Sequence, residues 1–273
     1  MIERRIHSTG EMIPVIGLGT WQSFDVSPSS DLDPLKQVLS QMSNGGEKLI
    51  DSSPMYGRSE KIIGLLTEDA GTGQFFYATK VWTQGKEEGI QQMENSFRNF
   101  RRPVIDLLQV HNLVDWKIHL KTLRQWKEEG RIRYIGITHY TDSMHNELAK
   151  IIRSEKIDFV QFNYSITDRN AEKLLLPAAS DVGVATLINR PFSEGRLINK
   201  VRGKQLPSWA NEHGIRNWSE FLLKFIISNP AVTCVIPATS NPAHAKDNFN
   251  AGLDPLPGES IRKRMIELVE SHK

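Results

Sequence analysis

The sequence holds one cysteine, Cys234, so no internal disulfide can form. Its place in the apolar run TCVIP predicts a buried structural thiol suited to the reducing cytoplasm. An excess of charge of either sign is also missing: 34 Lys and Arg against 32 Asp and Glu leave +2. Nothing therefore directs the chain to nucleic acid or to an anionic membrane. No run approaches the ~18 consecutive apolar residues of a membrane span. The N-terminal MIERRIHSTGEM lacks the apolar core of a secretory signal, and none is expected. Linkers, low-complexity tracts and internal repeats are absent as well. One domain over residues 1–273 is expected, a length and a 39% hydrophobic content that suit a single α/β barrel.

What is present is an alternation of short apolar runs with amphipathic segments. Strands are predicted at 15–19, 47–52, 75–80, 105–110, 133–138, 158–163, 183–188 and 233–236. Each is apolar at consecutive positions, as strands covered on both faces should be. Helices are predicted at 34–43, 59–66, 87–100, 115–129, 143–154, 171–180, 217–228 and 243–251, with one more at 258–270. Eight strand–helix units are the count of a (β/α)8 TIM barrel. IERRIH and EMIPV, flanking Ser8-Thr9-Gly10, predict an N-terminal β-hairpin closing the bottom, and 258–270 is the extra C-terminal helix. The rival is an open doubly wound sheet. It would want a third glycine after Gly17-Leu18-Gly19, where the chain has Thr20-Trp21-Gln22.

Barrel enzymes carry their reactive groups at the C-terminal ends of the strands. Alone, residues 51–57 read as a polar turn of Ser-Pro and Tyr-Gly type. Yet Asp51 ends the second predicted strand with Tyr56 just beyond it, Lys80 ends the third, and His111 follows the fourth. Four ionisable groups thus converge on one rim from successive strands. Tyrosine and lysine are poor acids and bases at neutral pH. Lys80 beside Tyr56 is expected to favour the phenolate and lower the tyrosine pKa, with Asp51 holding Lys80 charged. A neutral His111 can donate a hydrogen bond to a carbonyl oxygen. Such a set suits protonation of a developing alkoxide while a nicotinamide cofactor supplies hydride, which no side chain can.

These residues resemble the aldo-keto reductase family from the hairpin to about residue 251. The resemblance is carried by GLGTW (17–21), LIDSSPMYGRSE (49–60), ATKVW (78–82), DLLQVHN (106–112), IGITHY (135–140), VQFNYS (160–165) and VIPATS (235–240). It implies a catalytic tetrad of Asp51, Tyr56, Lys80 and His111, with Tyr56 as general acid in reducing an aldehyde or ketone to an alcohol. It also implies a nicotinamide cofactor held across the barrel mouth, NADP(H) being expected over NAD(H). Implied cofactor contacts are Gly19, Thr20, Trp21 and Asp51 at the first two strands, and Thr138, His139 and Gln161 at the nicotinamide carboxamide. Asn189, Arg190, Pro191 and Phe192 follow on the seventh strand, then Thr239, His244 and Asn248, the last toward the adenine. Trp21, Tyr56, Trp82 and His111 are the implied substrate contacts.

The chain departs from the family pattern at three places. Thr138-His139 replaces Ser-Asn. Asn189 stands where an aromatic residue commonly stacks on the nicotinamide. Ala238 and His244 take the places of the lysine and arginine that hold the extra phosphate of NADPH, leaving Thr239, Ser240, His244 and Lys246 to hold it. Segment 192–216 is expected to form a belt over the cofactor, and the pocket to be open. The alternative is a non-catalytic nicotinamide-binding regulatory subunit of the same fold. A metal-dependent barrel hydrolase is disfavoured, because no HxH follows the first strand. The expected partner is a small carbonyl or alcohol, and the expected state a monomer or weak oligomer.

Overall fold

The computed structural model describes residues 1–71, 73–253 and 255–272. Strands β1 (Glu3–Arg5) and β2 (Met12–Pro14) form an antiparallel hairpin in which Arg4 faces Ile13. Eight parallel strands follow: β3 (Leu18–Gly19), β4 (Leu49–Asp51), β5 (Phe76–Val81), β6 (Ile105–His111), β7 (Ile132–Thr138), β8 (Phe159–Asn163), β9 (Ala185–Asn189) and β10 (Cys234–Val235). Each pairs with the next in chain order. The ring closes through parallel bridges from Ile16 to Val235 and from Gly19 to Ala238. The architecture is a (β/α)8 barrel, as the strand count predicts.

The closing strands are shorter than expected, with two residues each where 15–19 and 233–236 were anticipated. Gly17 and Gly19 permit a backbone approach that a side chain would block. A Cβ at Gly17 would lie 2.8 Å from the Leu49 carbonyl oxygen, and one at Gly19 2.7 Å from that of Ile236. On the other side, Pro237 has no N–H to continue the ladder. Ile6 and Ile13 of the hairpin pack with Leu49, Phe76, Leu107, Tyr134, Phe159 and Leu187 into the lower barrel core. The hairpin therefore plugs the bottom, as expected, and leaves the opposite mouth open.

Ten α-helices are present among the described residues: α1 (Asp33–Gly45), α2 (Ser59–Leu66), α3 (Lys86–Phe100), α4 (Trp116–Glu128), α5 (His145–Ser154), α6 (Leu175–Val182), α7 (Arg196–Val201), α8 (Trp218–Ile227), α9 (Pro242–Asn250) and α10 (Glu259–Ser271). The helix expected at 171–180 is broken. A 3-10 turn covers Asn170–Lys173 and α6 starts at Leu175, because Pro177 is tolerated only in a first turn. Helix α7 was not anticipated. It lies in the segment expected to form a belt, and its Leu197 and Val201 are buried together with Ala210 and Ile215. Of the expected belt 192–216, Phe192, Glu194 and Gly195 line the cavity at the mouth, while no residue of 196–216 does. No helix among the described residues is long and apolar enough to cross a membrane.

Beneath the barrel, Glu47 is 1% exposed and neither of its carboxylate oxygens has a hydrogen-bond partner. Burial pushes its pKa up from 4.5 to about 7. Between those values the folded protein holds a proton that the unfolded chain has released, so stability falls as pH rises through the window. Glu47→Gln is expected to remove that loss, about 2–3 kcal/mol for a shift of this size. Urea unfolding at pH 5 and pH 8 measures it. An equal pH dependence in both proteins would contradict the assignment.

Candidate active site

The register of three neighbouring strands builds the base of the site. Lys80 on β5 pairs with Gln109 on β6, which pairs with Gly136 on β7. Lys80 is fully buried, and its ammonium donates to Asp51 Oδ2 at 2.7 Å and to the Ser52 carbonyl at 2.6 Å. The other carboxylate oxygen, Oδ1, accepts from Gln109 Nε2 at 3.2 Å and from Gln161 Nε2 on β8 at 2.9 Å. Gly136 makes room for this amide, since a Cβ there would sit 3.1 Å from Gln109 Cγ. An ion pair this deep persists only when its remaining hydrogen-bonding capacity is met, and these two amides meet it.

Tyr56 stands beside the pair, its ring centroid 5.0 Å from Lys80 Nζ. The turn that carries it is pinned by Tyr56 N–H donating to the Ser53 carbonyl at 2.9 Å and by the Ser59 hydroxyl donating to the Tyr56 carbonyl at 2.8 Å. Gly57 adopts φ 60° at this turn, and a Cβ there would meet the Asp25 carboxylate at 2.4 Å. That carboxylate in turn binds Arg58 at 2.9 Å. His111 at the end of β6 is buried and lies edge-on to Tyr56, with ring centroids 6.3 Å apart and planes at 85°. Its Nδ1 is 3.5 Å from the Ser53 hydroxyl.

Burial raises the Tyr56 pKa above the ordinary phenol value, and the lowering by Lys80 does not offset it. This corrects the expectation of a lowered tyrosine, which weighed the neighbouring charge without the desolvation. Burial alone would pull Lys80 down, but the charges of Asp51 and Tyr56 outweigh it and the net shift is upward. His111 is pushed down to about 3 by burial, with Lys80 and His139 adding to the effect. It is neutral throughout the physiological range, as expected.

Above these groups lies a cavity of about 820 Å³, to which the C-terminal ends and following loops of all eight barrel strands contribute. At the tetrad end it is lined by Trp21, Met55, Tyr56, Trp82, His111 and Asn112. Gly19, Thr20, Thr138, Gln161 and Asn189 line the middle, followed by Arg190, Pro191 and Phe192. Thr239, Ser240, Asn241 and His244 form the far end, at the start of α9. Most of the expected contacts therefore line one cavity. A second cavity, of about 610 Å³, opens near Thr9, Glu11 and Lys127 at the barrel bottom, away from the strand ends where barrel chemistry sits.

Three expected contacts are placed elsewhere, one of them Lys246, which is exposed on α9 and does not line the cavity. His139 does not line the cavity, and its Nδ1 accepts from the backbone N–H groups of Tyr140 at 3.0 Å and Thr141 at 3.3 Å. It caps its own loop, its Nδ1 lying within reach of the backbone donors one and two residues on. Asn248 is 2% exposed on α9 and does not line the cavity either. Gln161 lines the wall, but its amide nitrogen serves Asp51, and its oxygen accepts from the Thr138 hydroxyl at 3.2 Å and Asn189 Nδ2 at 3.5 Å.

Sequence reasoning missed several residues of the site. Gln109 is a lone amide within the apolar run DLLQVH, which was the available signal. Gln92 on α3 grips the Trp82 backbone at both ends, accepting from its N–H at 2.5 Å and donating to its carbonyl at 3.2 Å. Met55, Asn112 and Tyr140 line the cavity, and only the packed loops reveal them. Among the described residues, no group of three or more His, Cys, Asp or Glu is placed to hold a metal ion.

A parallel eight-stranded barrel with a buried Asp–Lys pair, a tyrosine and a neutral histidine at its C-terminal mouth has the make-up of an oxidoreductase. The chain belongs to the aldo/keto reductase family, whose model matches residues 15–265. It is 26% identical over 217 residues to the aldo-keto reductase YhdN of Bacillus subtilis, a match covering 72% of this chain and 63% of that protein. The chain thus spans just under two thirds of that relative's length. It is 26% identical over 244 residues to the NADH-specific methylglyoxal reductase of Escherichia coli, covering 77% of this chain and 73% of that protein. In fold it resembles an aldo/keto reductase of Klebsiella pneumoniae solved with NADP and acetate. That similarity has a TM-score of 0.82 at 21% identity and covers 98% of this chain and 96% of the other.

Proposed function

We propose that residues 1–273 act as one domain that reduces an aldehyde or ketone to an alcohol, with NADPH as hydride donor and Tyr56 as general acid. The buried Asp51–Lys80 pair beside Tyr56, facing a neutral His111, carries this reading. A raised pKa keeps Tyr56 protonated and ready to donate. The Lys80 charge stabilises the phenolate left behind, and Asp51, itself held by Gln109 and Gln161, keeps that charge in place. The Ser53 hydroxyl lies 3.5 Å from His111 Nδ1, and the tautomer in which it donates there leaves the ring hydrogen on Nε2 to orient the carbonyl oxygen. The cavity volume of about 820 Å³, its hydroxyl-rich far end and the start of α9 fit a nicotinamide dinucleotide, which supplies the hydride when bound. A buried free Cys234 agrees with a cytoplasmic protein. Tryptophan-fluorescence titration with cofactor, followed by turnover of an aldehyde panel, tests the reading. Cofactor binding without turnover would favour the regulatory alternative.

Cofactor discrimination is expected to be weak. No lysine lines the far end, Arg190 is paired with Glu194 at 2.9 Å, and the Asn241 side chain itself caps α9 by accepting from the Ala243 and His244 N–H groups. An exposed contact to the extra phosphate is worth about 1 kcal/mol or less. Dissociation constants for NADPH and NADH should therefore differ by roughly tenfold at most. Among the similar proteins, one is named NADH-specific and a structural neighbour holds NADP. A thousandfold preference for NADPH would show a phosphate site elsewhere.

A further inference from the structure

We propose that Gln92, which does not itself line the cavity, is a positioning residue that sets substrate affinity by fixing the Trp82 indole beside His111. The role rests on the reductase function above. The registers of β5 with β4 and with β6 end at Ala78 and Val81, so Trp82 lies just past the ladder. Gln92, in the second turn of α3, takes over. Its Oε1 accepts from Trp82 N–H at 2.5 Å, and its Nε2 donates to the Trp82 carbonyl at 3.2 Å. Antiparallel strand partners exchange both bonds in this way, and here a side-chain amide stands in for the missing strand. The rest of the loop is held by α4. His119 is 1% exposed, and its Nε2 donates to the Thr83 carbonyl at 2.8 Å, since a carbonyl can only accept. Gly89 leaves room for that ring, because a Cβ there would lie 2.5 Å from His119 Cε1. Asp115 Oδ2 accepts from Gly85 N–H at 2.9 Å.

Packing alone does not hold the indole. Trp82 is 41% exposed where it lines the cavity, so its place depends on a backbone fixed from behind. Its ring centroid lies 6.3 Å from that of His111, with the planes at 57°, and Tyr56 lies 6.3 Å from the same imidazole. A carbonyl held by Tyr56 and His111 therefore has Trp82 beside it as a wall for its substituent. Such a wall contributes equally to the bound substrate and to the transition state. Loosening it raises KM and spares kcat.

The test is steady-state reduction of benzaldehyde and of propanal at saturating NADPH by the unmodified protein, Gln92→Met, Trp82→Leu and the double variant. Gln92→Met keeps the side-chain length and removes both bonds. It is expected to raise the benzaldehyde KM about tenfold, the scale of one apolar contact in a pocket, with kcat and the NADPH dissociation constant kept. In Trp82→Leu, which has no indole to place, Gln92→Met is expected to add nothing. A benzaldehyde KM indifferent to Gln92→Met overturns the proposal, and so does a full further loss in the double variant. Equal falls in kcat for both aldehydes overturn it as well, since they mark a role in folding alone. Hydrogen exchange in the unmodified protein decides without any variant. The Trp82 N–H should be protected although the residue is exposed, and exchange at the rate of a free amide overturns the clamp. Reduction of neither aldehyde would sink the reductase reading and this role with it, whereas reduction with KM untouched by Gln92→Met sinks only the role of Gln92.

Discussion

Tyr56→Phe is expected to lower carbonyl reduction by roughly 10²–10⁴-fold, the loss that follows removal of a positioned general acid, while the cofactor still binds. The ring stays in place, packed between Lys80 Nζ at 5.0 Å and the edge of His111, so the variant removes only the phenolic hydroxyl. His111 is a poor substitute acid, because burial and the Lys80 charge push its pKa down to about 3 and leave it neutral at physiological pH. Single-turnover reduction of a reactive aldehyde isolates the chemical step, and fluorescence titration checks cofactor affinity. A variant that keeps most of its single-turnover rate would show that the proton comes from elsewhere.

Lys80→Met should act on rate and stability together. Removing a fixed charge that stabilises a developing anion costs about 10²–10³-fold. It also leaves Asp51 buried without its cation, which costs about 3–5 kcal/mol in comparable sites. Here the low end is expected, because Gln109 and Gln161 still donate to the carboxylate. Adding Asp51→Asn should recover much of the stability and none of the rate. In the alcohol-oxidising direction the phenolate acts as base, so its alkaline rise should move to higher pH once the lowering by Lys80 is gone. The native pair adds a second pH effect. Lys80 is held protonated above its ordinary value, so its contribution to stability is complete at neutral pH and is lost only as alkaline pH passes its folded value. Unchanged kcat with an unchanged pH profile would remove Lys80 from the mechanism.

The amide network around Asp51 shows how far linear order carries. Asp51, Lys80 and His111 could be read at strand ends because covalent order places each at the close of an apolar run, and parallel strands bring such closes to one rim. Gln109 could not be read this way. Whether it faces into the barrel depends on the register that sets it opposite Lys80 and Gly136, and a register shift of one residue would turn it outward. The same holds for Gln161, whose expected service to the cofactor is shared with Asp51 in the fold.

Local pattern was enough to specify the barrel, the hairpin at its base and the four ionisable groups at its mouth. Each follows from local periodicity or from the end of a strand, and neither needs knowledge of what lies across the barrel. Only the packed fold sets the raised pKa of Tyr56, where burial outweighs a neighbouring charge, and the turning of His139 into its own loop. It likewise keeps 196–216 off the cavity wall and leaves both carboxylate oxygens of Glu47 without partners. The reason is common to all of them. Desolvation, side-chain orientation and unsatisfied polar atoms are properties of what surrounds a residue in space, and residues distant in the chain supply those surroundings.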